Sequence, residues 1–457
     1  IKIYDTEKDS SEFSYGLNGT NTDFGSQMGV IALTHNYFFN KKTHLFSTLS
    51  ATHSRSYTYI DSISKSVTDS IYPWLRTDFA EMKYSASSRI SHKSNAKNYF
   101  VGGLNIDFYL PNYHDSVWIF EENKFRKLMD TKGKLYMGRA YVQWQHKFSD
   151  QFSFNSGAHF SFVGLNNEFA IEPRGGLKWK YHPNQSLSFG AGLHSQTQPR
   201  INYFTIQEQP DGEFVYTNKN LKMSKSAHFV LGHDISLKGY FRLKTEVYYQ
   251  HLYNIPVSSE YTSFSMLNEG AYFAISMIDS LENKGTGINY GAEITLEKFL
   301  SNGYYFLVTA SLFESNYTAF DGKVRNTAFN GNYVLNALCG YEFKLGSHAY
   351  LSFDLKTVWG GGKRYTPINV NESMLKGTTV YYEDQINAKK HDDYFKIDAR
   401  ISFRKNGKKV NQEWALDIKN ISNHRNIFIQ SFDTYEGQIH TDYQEGFYPM
   451  FLYRLNF

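Results

Sequence analysis

The chain has 457 residues, of which 41% are hydrophobic, 17% are aromatic and 20% are charged. It holds no run of about 18 uncharged apolar residues, the length that a membrane-spanning helix needs, so the sequence excludes a helical membrane protein. The net charge of +4 is small and the basic residues are dispersed, which gives no support to nucleic-acid binding.

Alternation of apolar and polar residues with a period of two dominates the chain and predicts β-strands. In chain order, we predict about 18 strands, near residues 11–19, 25–40, 43–60, 78–92, 98–115, 133–149, 151–163, 169–182, 185–196, 223–237, 239–256, 286–301, 303–315, 332–345, 347–360, 392–405, 409–425 and 445–457. Strands of soluble proteins centre on about five or six residues. A tilted strand that crosses a membrane needs about 9–11 residues, so the predicted lengths favour a transmembrane β-barrel.

The connections between these strands alternate between short and long. Short connections are predicted at Lys41–Lys42, Ser149–Asp150, His182–Gln185, Leu237–Gly239, Ser301–Gly303, Leu345–Ser347 and Lys405–Lys408. Long polar connections are predicted near residues 60–78, 116–133, 197–223, 256–285, 315–331, 360–391 and 425–445. Tight turns on one rim and long loops on the other are typical of an outer-membrane barrel. The sequence therefore predicts one all-β domain over residues 1–457, a transmembrane antiparallel β-barrel in the outer membrane of a Gram-negative bacterium.

The last predicted strand alternates apolar with polar residues and ends on an aromatic one. Phe451, Tyr453, Leu455 and Phe457 lie on one face of this strand. The pattern resembles the signal by which the barrel assembly machinery recognises outer-membrane proteins. We therefore expect that machinery as a partner, together with the lipid and lipopolysaccharide of the outer membrane.

Other kinds of site find no support in the sequence. Cys339 is the single cysteine, so neither an intrachain disulfide nor a cysteine-based zinc site is predicted. His391 lies beside Asp392 and Asp393, but adjacent residues rarely bind one ion together, and we expect no metal or other cofactor. No nucleophile elbow or other catalytic motif is present, so no enzymatic activity is expected.

Two other interpretations of this pattern stay open at this point. A closed barrel of about 18 strands would be a complete passive diffusion porin. A soluble β-sandwich or propeller adhesin would show the same alternation, with its apolar rows buried against a second sheet. The position of the apolar rows in the structure separates the membrane barrel from the soluble fold.

Three segments resemble the barrel strands of TonB-dependent receptors. They cover residues 172–199, 290–343 and 393–457, for example DYFKIDARISF from Asp393 and GFYPMFLYRLNF at the end. The resemblance implies a barrel of 22 strands around an N-terminal plug, of which this chain would supply about 18 strands without the plug and the TonB box. It also implies active import of a scarce nutrient, such as an iron chelate, cobalamin, a glycan or a peptide. The partners that it implies are the TonB complex, reached through the plug, and in some members a surface lipoprotein.

Ligand binding is expected in the long outer loops and the upper lumen, the concave face that the barrel presents to the outside. Three groups combine aromatic rings with amide or guanidinium groups, which suits them to stack on and hydrogen-bond to a polar ligand. They are Gln196, Gln198, Arg200, Tyr203 and Phe204; Arg325 and Asn326; and Trp359, Lys363, Arg364 and Tyr365. Packing within the loops is the competing explanation for these residues.

Overall fold

The computed structural model describes residues 2–3, 20–64, 70–238, 240–271, 276–433 and 436–457. Strands take up 71% of it and helices 4%, which confirms the all-β prediction. The strands are β1 (Lys2–Ile3), β2 (Thr20–Asn40), β3 (Thr43–Ser64), β4 (Ser70–Lys93), β5 (Asn98–Ile119), β6 (Lys124–Lys132), β7 (Leu135–Lys147), β8 (Phe152–Val163), β9 (Glu168–His182), β10 (Gln185–Gln196), β11 (Ile206–Glu208), β12 (Phe214–Tyr216), β13 (Ser224–Leu237), β14 (Phe241–Ser258), β15 (Leu281–Ser301), β16 (Tyr304–Thr318), β17 (Val324–Asn326), β18 (Tyr333–Leu345), β19 (Ala349–Gly360), β20 (Arg364–Tyr365), β21 (Lys389–Lys390), β22 (Tyr394–Asn406), β23 (Asn411–Lys419), β24 (Ile427–Asp433), β25 (Gln438–Tyr443) and β26 (Tyr448–Asn456).

Helical structure is confined to the connections. Among the described residues it consists of α1 (Val370–Lys376) and three short 3-10 helices, at Arg200–Phe204, Met266–Asn268 and Glu383–Gln385. Asn369 caps the N-terminus of α1 by accepting a hydrogen bond from the Glu372 amide, and Gly377 ends the helix in the left-handed conformation that favours glycine. No helix in the described ranges is long and apolar enough to cross a membrane.

One antiparallel sheet of 20 strands forms the barrel wall, and each long strand pairs with its neighbours along the chain. The short strands β1, β6 and β17 pair with parts of β2, β5 and β16, which leaves 17 long wall strands in the part of the chain that the structure describes. These 17 correspond to 17 of the predicted strands. The predicted strand near residues 11–19 lies outside the described residues. Within the described ranges, β26 is paired only with β23.

The wall has an apolar outer face and a charged inner face. Leu231, Val247, Ala292 and Leu312 are neighbours in register on four successive strands, and Leu312 is 68% exposed. On the inner face Arg242 of β14 contacts Asp234 of β13 and Glu297 of β15. The apolar rows are therefore exposed and do not pack against a second sheet, which rules out the sandwich. An apolar exterior with a polar interior is the arrangement that a barrel in lipid requires.

Short turns and long loops alternate as predicted. The turn between β15 and β16 shows why a tight turn forms: Asn302 and Gly303 both have positive φ, 55° and 83°, which matches the twist of a two-residue hairpin. Two predicted loops, near 60–78 and 116–133, were wrong. There β3 and β4 reach Ser64 and Ser70, and β5 pairs with β6. Ring contacts between paired strands stabilise these longer hairpins, for example that of Trp118 with Phe125, whose ring centroids are 5.0 Å apart.

Candidate functional site: the outer loops and the upper lumen

Residues 197–223, here called the inner loop, connect β10 to β13 and fold back into the lumen. Tyr203 and Phe204 are 2% and 6% exposed and pack with Tyr113 of β5 and Met129 of β6. Burial raises the pKa of Tyr203 to about 12, so its hydroxyl stays protonated. That hydroxyl accepts a hydrogen bond from the Gln198 amide at 3.1 Å. The loop is therefore packed into the barrel mouth through its own aromatic side chains.

A charged contact anchors the inner loop to the wall. The Arg200 guanidinium donates from Nε and Nη2 to the two carboxylate oxygens of Glu81 on β4, at 2.7 and 2.8 Å. Glu81 also accepts a hydrogen bond from the Tyr113 hydroxyl at 2.6 Å. The guanidinium lies 4.5 Å from the centre of the Tyr109 ring. Burial lowers the pKa of Arg200, but the bonds to Glu81 outweigh it, so that pKa is raised and the cation is stabilised.

The remaining residues of the first predicted group lie at the base of the inner loop. The side-chain amide of Gln198 donates to the Lys222 carbonyl at 2.9 Å and to the Ser224 hydroxyl at 3.0 Å, so this residue closes the two ends of the loop. Gln196 is exposed at the end of β10. The structure thus brings all five residues of this group to one part of the barrel mouth.

The second group lies in the loop between β16 and β18. Arg325 donates from Nη1 and Nη2 to the two oxygens of Asp321, at 2.9 and 2.6 Å. This bond lowers the pKa of Asp321 to about 2. The Asn326 side-chain oxygen accepts a hydrogen bond from Asn330 at 2.8 Å, and its carbonyl accepts one from Asn387 at 3.2 Å. Asn326 therefore joins this loop to the loop between β19 and β22.

Three residues of the third group, Lys363, Arg364 and Tyr365, line a cleft between the loops that follow β19 and β23. Tyr365 stacks on His391 with ring centroids 4.0 Å apart and an interplanar angle of 9°. His391, Tyr381, Phe428 and Gln430 complete most of the lining, and the cavity between these side chains has a volume of about 20 Å³. Burial lowers the pKa of His391, and the nearby Lys363 acts in the same direction. The cleft therefore holds a neutral imidazole beside aromatic, cationic and amide groups.

Arg364 ties this cleft to the second group. Its Nε donates to the Asn330 carbonyl and its Nη2 to the Asn332 side-chain oxygen, both at 3.0 Å. Trp359 lies apart from the cleft, because it is 46% exposed at the end of β19 and contacts the ring of Tyr333 edge-on at 5.7 Å. The structure thus brings Arg325, Asn326, Lys363, Arg364 and Tyr365 together, but not Trp359.

The described residues 259–271 and 276–280, here called the bridging loop, connect the two regions. The Asn202 side chain of the inner loop donates to the Ser276 carbonyl at 3.2 Å, and that of Asn218 donates to the Ile278 carbonyl at 2.7 Å. On the other side, Lys363 donates to the Ala271 carbonyl. The bridging loop therefore contacts both the inner loop and the cleft.

Several residues that contact or belong to these loops were not identified from the sequence. Glu81 and Tyr113 belong to strands, where alternation shows only that they face the lumen. Asn330 and Asn387 are loop amides of a very common kind, and nothing in the sequence indicates that both contact Asn326. Within the described ranges, no cluster of three or more histidine, cysteine or acidic side chains could hold a metal ion.

The family model for the β-barrel of TonB-dependent receptor-like proteins matches residues 3–423. The chain belongs to this family. It is therefore an outer-membrane protein, and the resemblance drawn from the three segments is confirmed. No curated protein gives a significant match to the sequence.

Solved structures of receptors have the same fold. The ferric yersiniabactin uptake receptor of Yersinia pestis is 11% identical, with a TM-score of 0.63 over 93% of this chain and 61% of its own. The ferric-catecholate import receptor of Escherichia coli is 10% identical, with a TM-score of 0.65 over 99% of this chain and 66% of its own. The pyoverdine receptor of Pseudomonas aeruginosa is 12% identical, with a TM-score of 0.64 over 96% and 62%. The chain thus spans less than two thirds of these receptors, and identities this low indicate a shared fold only.

Proposed function

We propose that this TonB-dependent receptor barrel is the outer wall of an active importer that takes up a scarce, polar nutrient. Membership of the family carries the proposal, since it covers residues 3–423. The loops support it, because the inner loop fills part of the barrel mouth with packed aromatic side chains, whereas a passive porin needs an open water-filled path. Among an iron chelate, cobalamin, a glycan and a peptide, we favour an iron chelate, the cargo named for the ferric yersiniabactin and ferric-catecholate receptors.

Ligand capture is proposed at the outer loops. In the cleft, the Tyr365 and His391 rings would contact flat parts of a ligand, and Lys363 and Arg364 would offer donors to its oxygen atoms. Arg325, Asn326 and the inner-loop residues Gln196, Gln198, Arg200, Tyr203 and Phe204 would complete the surface. Trp359 would sit at the membrane interface beside it, a position that aromatic side chains favour.

The partners follow from the same proposal. The TonB complex would act through a plug domain, and a surface lipoprotein would be an additional partner at the outer loops. The apolar outer rows would face lipid and lipopolysaccharide. Phe451, Tyr453 and Leu455 are exposed along β26 and Phe457 is exposed directly after it, where the barrel assembly machinery would bind them.

The test is growth of a deletion strain on single iron sources. A strain that lacks the gene should fail to grow on one ferric chelate, and the full-length gene should restore growth. Restoration should disappear when the inner-membrane TonB protein is also deleted. Growth that is restored equally with and without TonB would instead indicate a passive porin.

A further inference from the structure

The wall formed by β3, β4, β5 and β6 continues beyond the membrane. β3, β4 and β5 have 22, 24 and 22 residues, whereas β8, β9 and β10 have 12, 15 and 12. A tilted strand needs about 9–11 residues to cross the hydrocarbon layer. The loop-side parts of β3, β4 and β5, together with β6, therefore lie outside the bilayer.

Register locates the outer membrane surface on this part of the wall. Tyr84 of β4, Phe108 of β5 and Tyr136 of β7 are neighbours in one row of the outer face. Ala86 and Ile106 lie in the next row toward the periplasm, and both are apolar. Aromatic side chains gather at the interface between hydrocarbon and headgroups. Rows on the loop side of Tyr84 are therefore at the level of the lipid headgroups on the cell surface.

Charged and polar side chains occupy two rows of the outer face beyond this aromatic row. Ala51 belongs to the aromatic row because it pairs with Tyr84. Arg55 lies four residues further along β3, a distance of about 13 Å. The two rows are here called the outer polar band and consist of Arg55, Ala80, Asn112 and Lys132, and of Tyr57, Asp78, His114 and Asp130.

The outer polar band faces away from the lumen. Tyr113, which lies between Asn112 and His114 on β5, is 6% exposed and packs with Tyr203 and Phe204 of the inner loop. Asn112 and His114 lie on the opposite face of the strand and are half-buried. A plug inside the barrel would therefore be on the side of Tyr113 and would not contact the band.

The two carboxylates of the outer polar band already have cationic or imidazole partners. Arg55 donates from Nε and Nη2 to the two oxygens of Asp78, at 2.9 and 2.6 Å. One oxygen of Asp130 accepts a hydrogen bond from Lys127 of the next row at 2.7 Å. The other oxygen lies 2.9 Å from Nδ1 of His114. These carboxylates therefore add little repulsion toward an anion.

Two cations of the outer polar band keep free donors. The Lys132 side chain is exposed and has no ion pair or hydrogen bond with the described residues, and neither has Nη1 of Arg55. In the row of Arg55, Ala80, Asn112 and Lys132, the two cations are three strand spacings apart, about 14 Å. The small side chain of Ala80 leaves space between Arg55 and Asn112. The row therefore offers two cationic ends with room and an amide between them.

We propose that the outer polar band binds the phosphorylated sugar headgroup of lipopolysaccharide. The chain is an outer-membrane protein, and lipopolysaccharide forms the leaflet on the side of the long loops. Lys132 and Arg55 would donate to phosphate oxygens, and the Asn112 amide would hydrogen-bond to sugar hydroxyls in the space beside Ala80. The inference depends on the membrane position of the wall and not on the proposed import.

The test measures binding of lipopolysaccharide to the intact full-length protein. The protein is refolded in detergent from inclusion bodies, so that it carries no lipopolysaccharide, and is immobilised. It is then titrated with radiolabelled lipopolysaccharide that consists of lipid A and inner-core sugars. The same lipopolysaccharide without its phosphates tests the need for phosphate, and phosphatidylglycerol tests the need for the sugar. Both should bind at least about tenfold more weakly.

A charge pair of variants tests the free ammonium group. Lys132→Gln should weaken binding of lipopolysaccharide about fivefold, because one cation near an anionic lipid surface is lost. Lys408→Gln removes an exposed lysine from a turn on the periplasmic rim and should leave binding unchanged.

A steric pair of variants tests the space in the row without altering charge. Ala80→Leu fills the gap between Arg55 and Asn112 and should also weaken binding about fivefold. Ala86→Leu adds the same side chain to the exposed apolar row below the aromatic row and should leave binding unchanged. Folding of each variant is checked by the heat-dependent band shift of outer-membrane barrels.

The outcomes decide between a headgroup site and an ordinary lipid-facing surface. Weaker binding by Lys132→Gln or Ala80→Leu, with both control variants unchanged, supports the inference. Unchanged binding by both Lys132→Gln and Ala80→Leu overturns it. Binding of phosphatidylglycerol or of the dephosphorylated lipopolysaccharide that is as tight as that of the intact lipopolysaccharide also overturns it.

Discussion

The contact between Arg200 and Glu81 gives the sharpest prediction about the loops. Arg200→Ala removes two charge-assisted hydrogen bonds and leaves the Glu81 carboxylate with the Tyr113 hydroxyl as its remaining partner. The carboxylate is well buried, with 10% of its side chain exposed, whereas the Arg200 side chain is 38% exposed. Breaking a buried pair costs about 3–5 kcal/mol and an exposed pair less than about 1 kcal/mol. Because the arginine is partly exposed, we expect loss of this contact to cost a free energy between these two values, about 2 kcal/mol.

This loss of free energy should shift the equilibrium between the packed and the open inner loop toward the open state. About 2 kcal/mol corresponds to roughly a 30-fold increase in the open population. Hydrogen exchange measures it at the amides of Asn202 and Leu221, which donate to the Pro199 and Asn218 carbonyls at 3.0 and 3.1 Å. Both amides should exchange about 30-fold faster in Arg200→Ala than in the wild type.

Two further variants serve as controls. Tyr113→Phe removes only the hydroxyl bond to Glu81 and should cost about 1 kcal/mol, so exchange should rise about fivefold. Arg454→Ala removes a more exposed ion pair elsewhere on the inner wall and should leave the inner loop unchanged. If Arg200→Ala accelerates exchange no more than Arg454→Ala does, the anchoring role assigned to Arg200 is incorrect.

Three other predictions concern the cleft and the last strand. The pKa of His391 is lowered in the folded loops, so their stability is complete above the ordinary histidine value of 6.5 and declines as the pH falls below it. Proteolysis of residues 361–393 should therefore be faster at pH 5 than at neutral pH. His391→Phe, which keeps the stack on Tyr365, should abolish this pH dependence. Tyr365→Ala should reduce binding of a ferric chelate to whole cells about tenfold through loss of the stacked ring. Leu375→Ala, at an exposed residue outside the cleft, is the control and should bind like the wild type. Equal binding by Tyr365→Ala and the wild type would remove Tyr365 from the capture surface. Phe457→Ser should lower the fraction of protein that shows the heat-dependent band shift in outer-membrane extracts, whereas Asn456→Ser should not. An unchanged band-shifted fraction for Phe457→Ser would refute the assembly signal assigned to the last strand.

The wall could be predicted from the sequence because each residue of a wall strand faces either lipid or water. The segment from Phe395 to Phe403 alternates for this reason, and its strand, β22, runs from Tyr394 to Asn406. The predicted loops near 60–78 and 116–133 failed because strands that rise above the membrane lose the lipid-facing constraint. There, polar residues occupy both faces, and pairing between β5 and β6 extends the sheet without a clear alternation.

The loops could be predicted only in part. Arg200 and Tyr365 stood out by their side-chain chemistry, but their partners did not. Glu81 is 119 residues away from Arg200, and His391 contacts Tyr365 through the return of a long loop. Such contacts depend on which loops pack together above the barrel, and no local sequence pattern predicts that packing.

The bridging loop has a consequence for how the loops respond to a ligand. It accepts hydrogen bonds from Asn202 and Asn218 on one side and from Lys363 on the other. A molecule that displaces Lys363 from Ala271 therefore removes one of the contacts that hold the bridging loop. By thermodynamic linkage, the factor by which ligand binding at the cleft weakens retention of the inner loop equals the factor by which release of the inner loop weakens binding at the cleft.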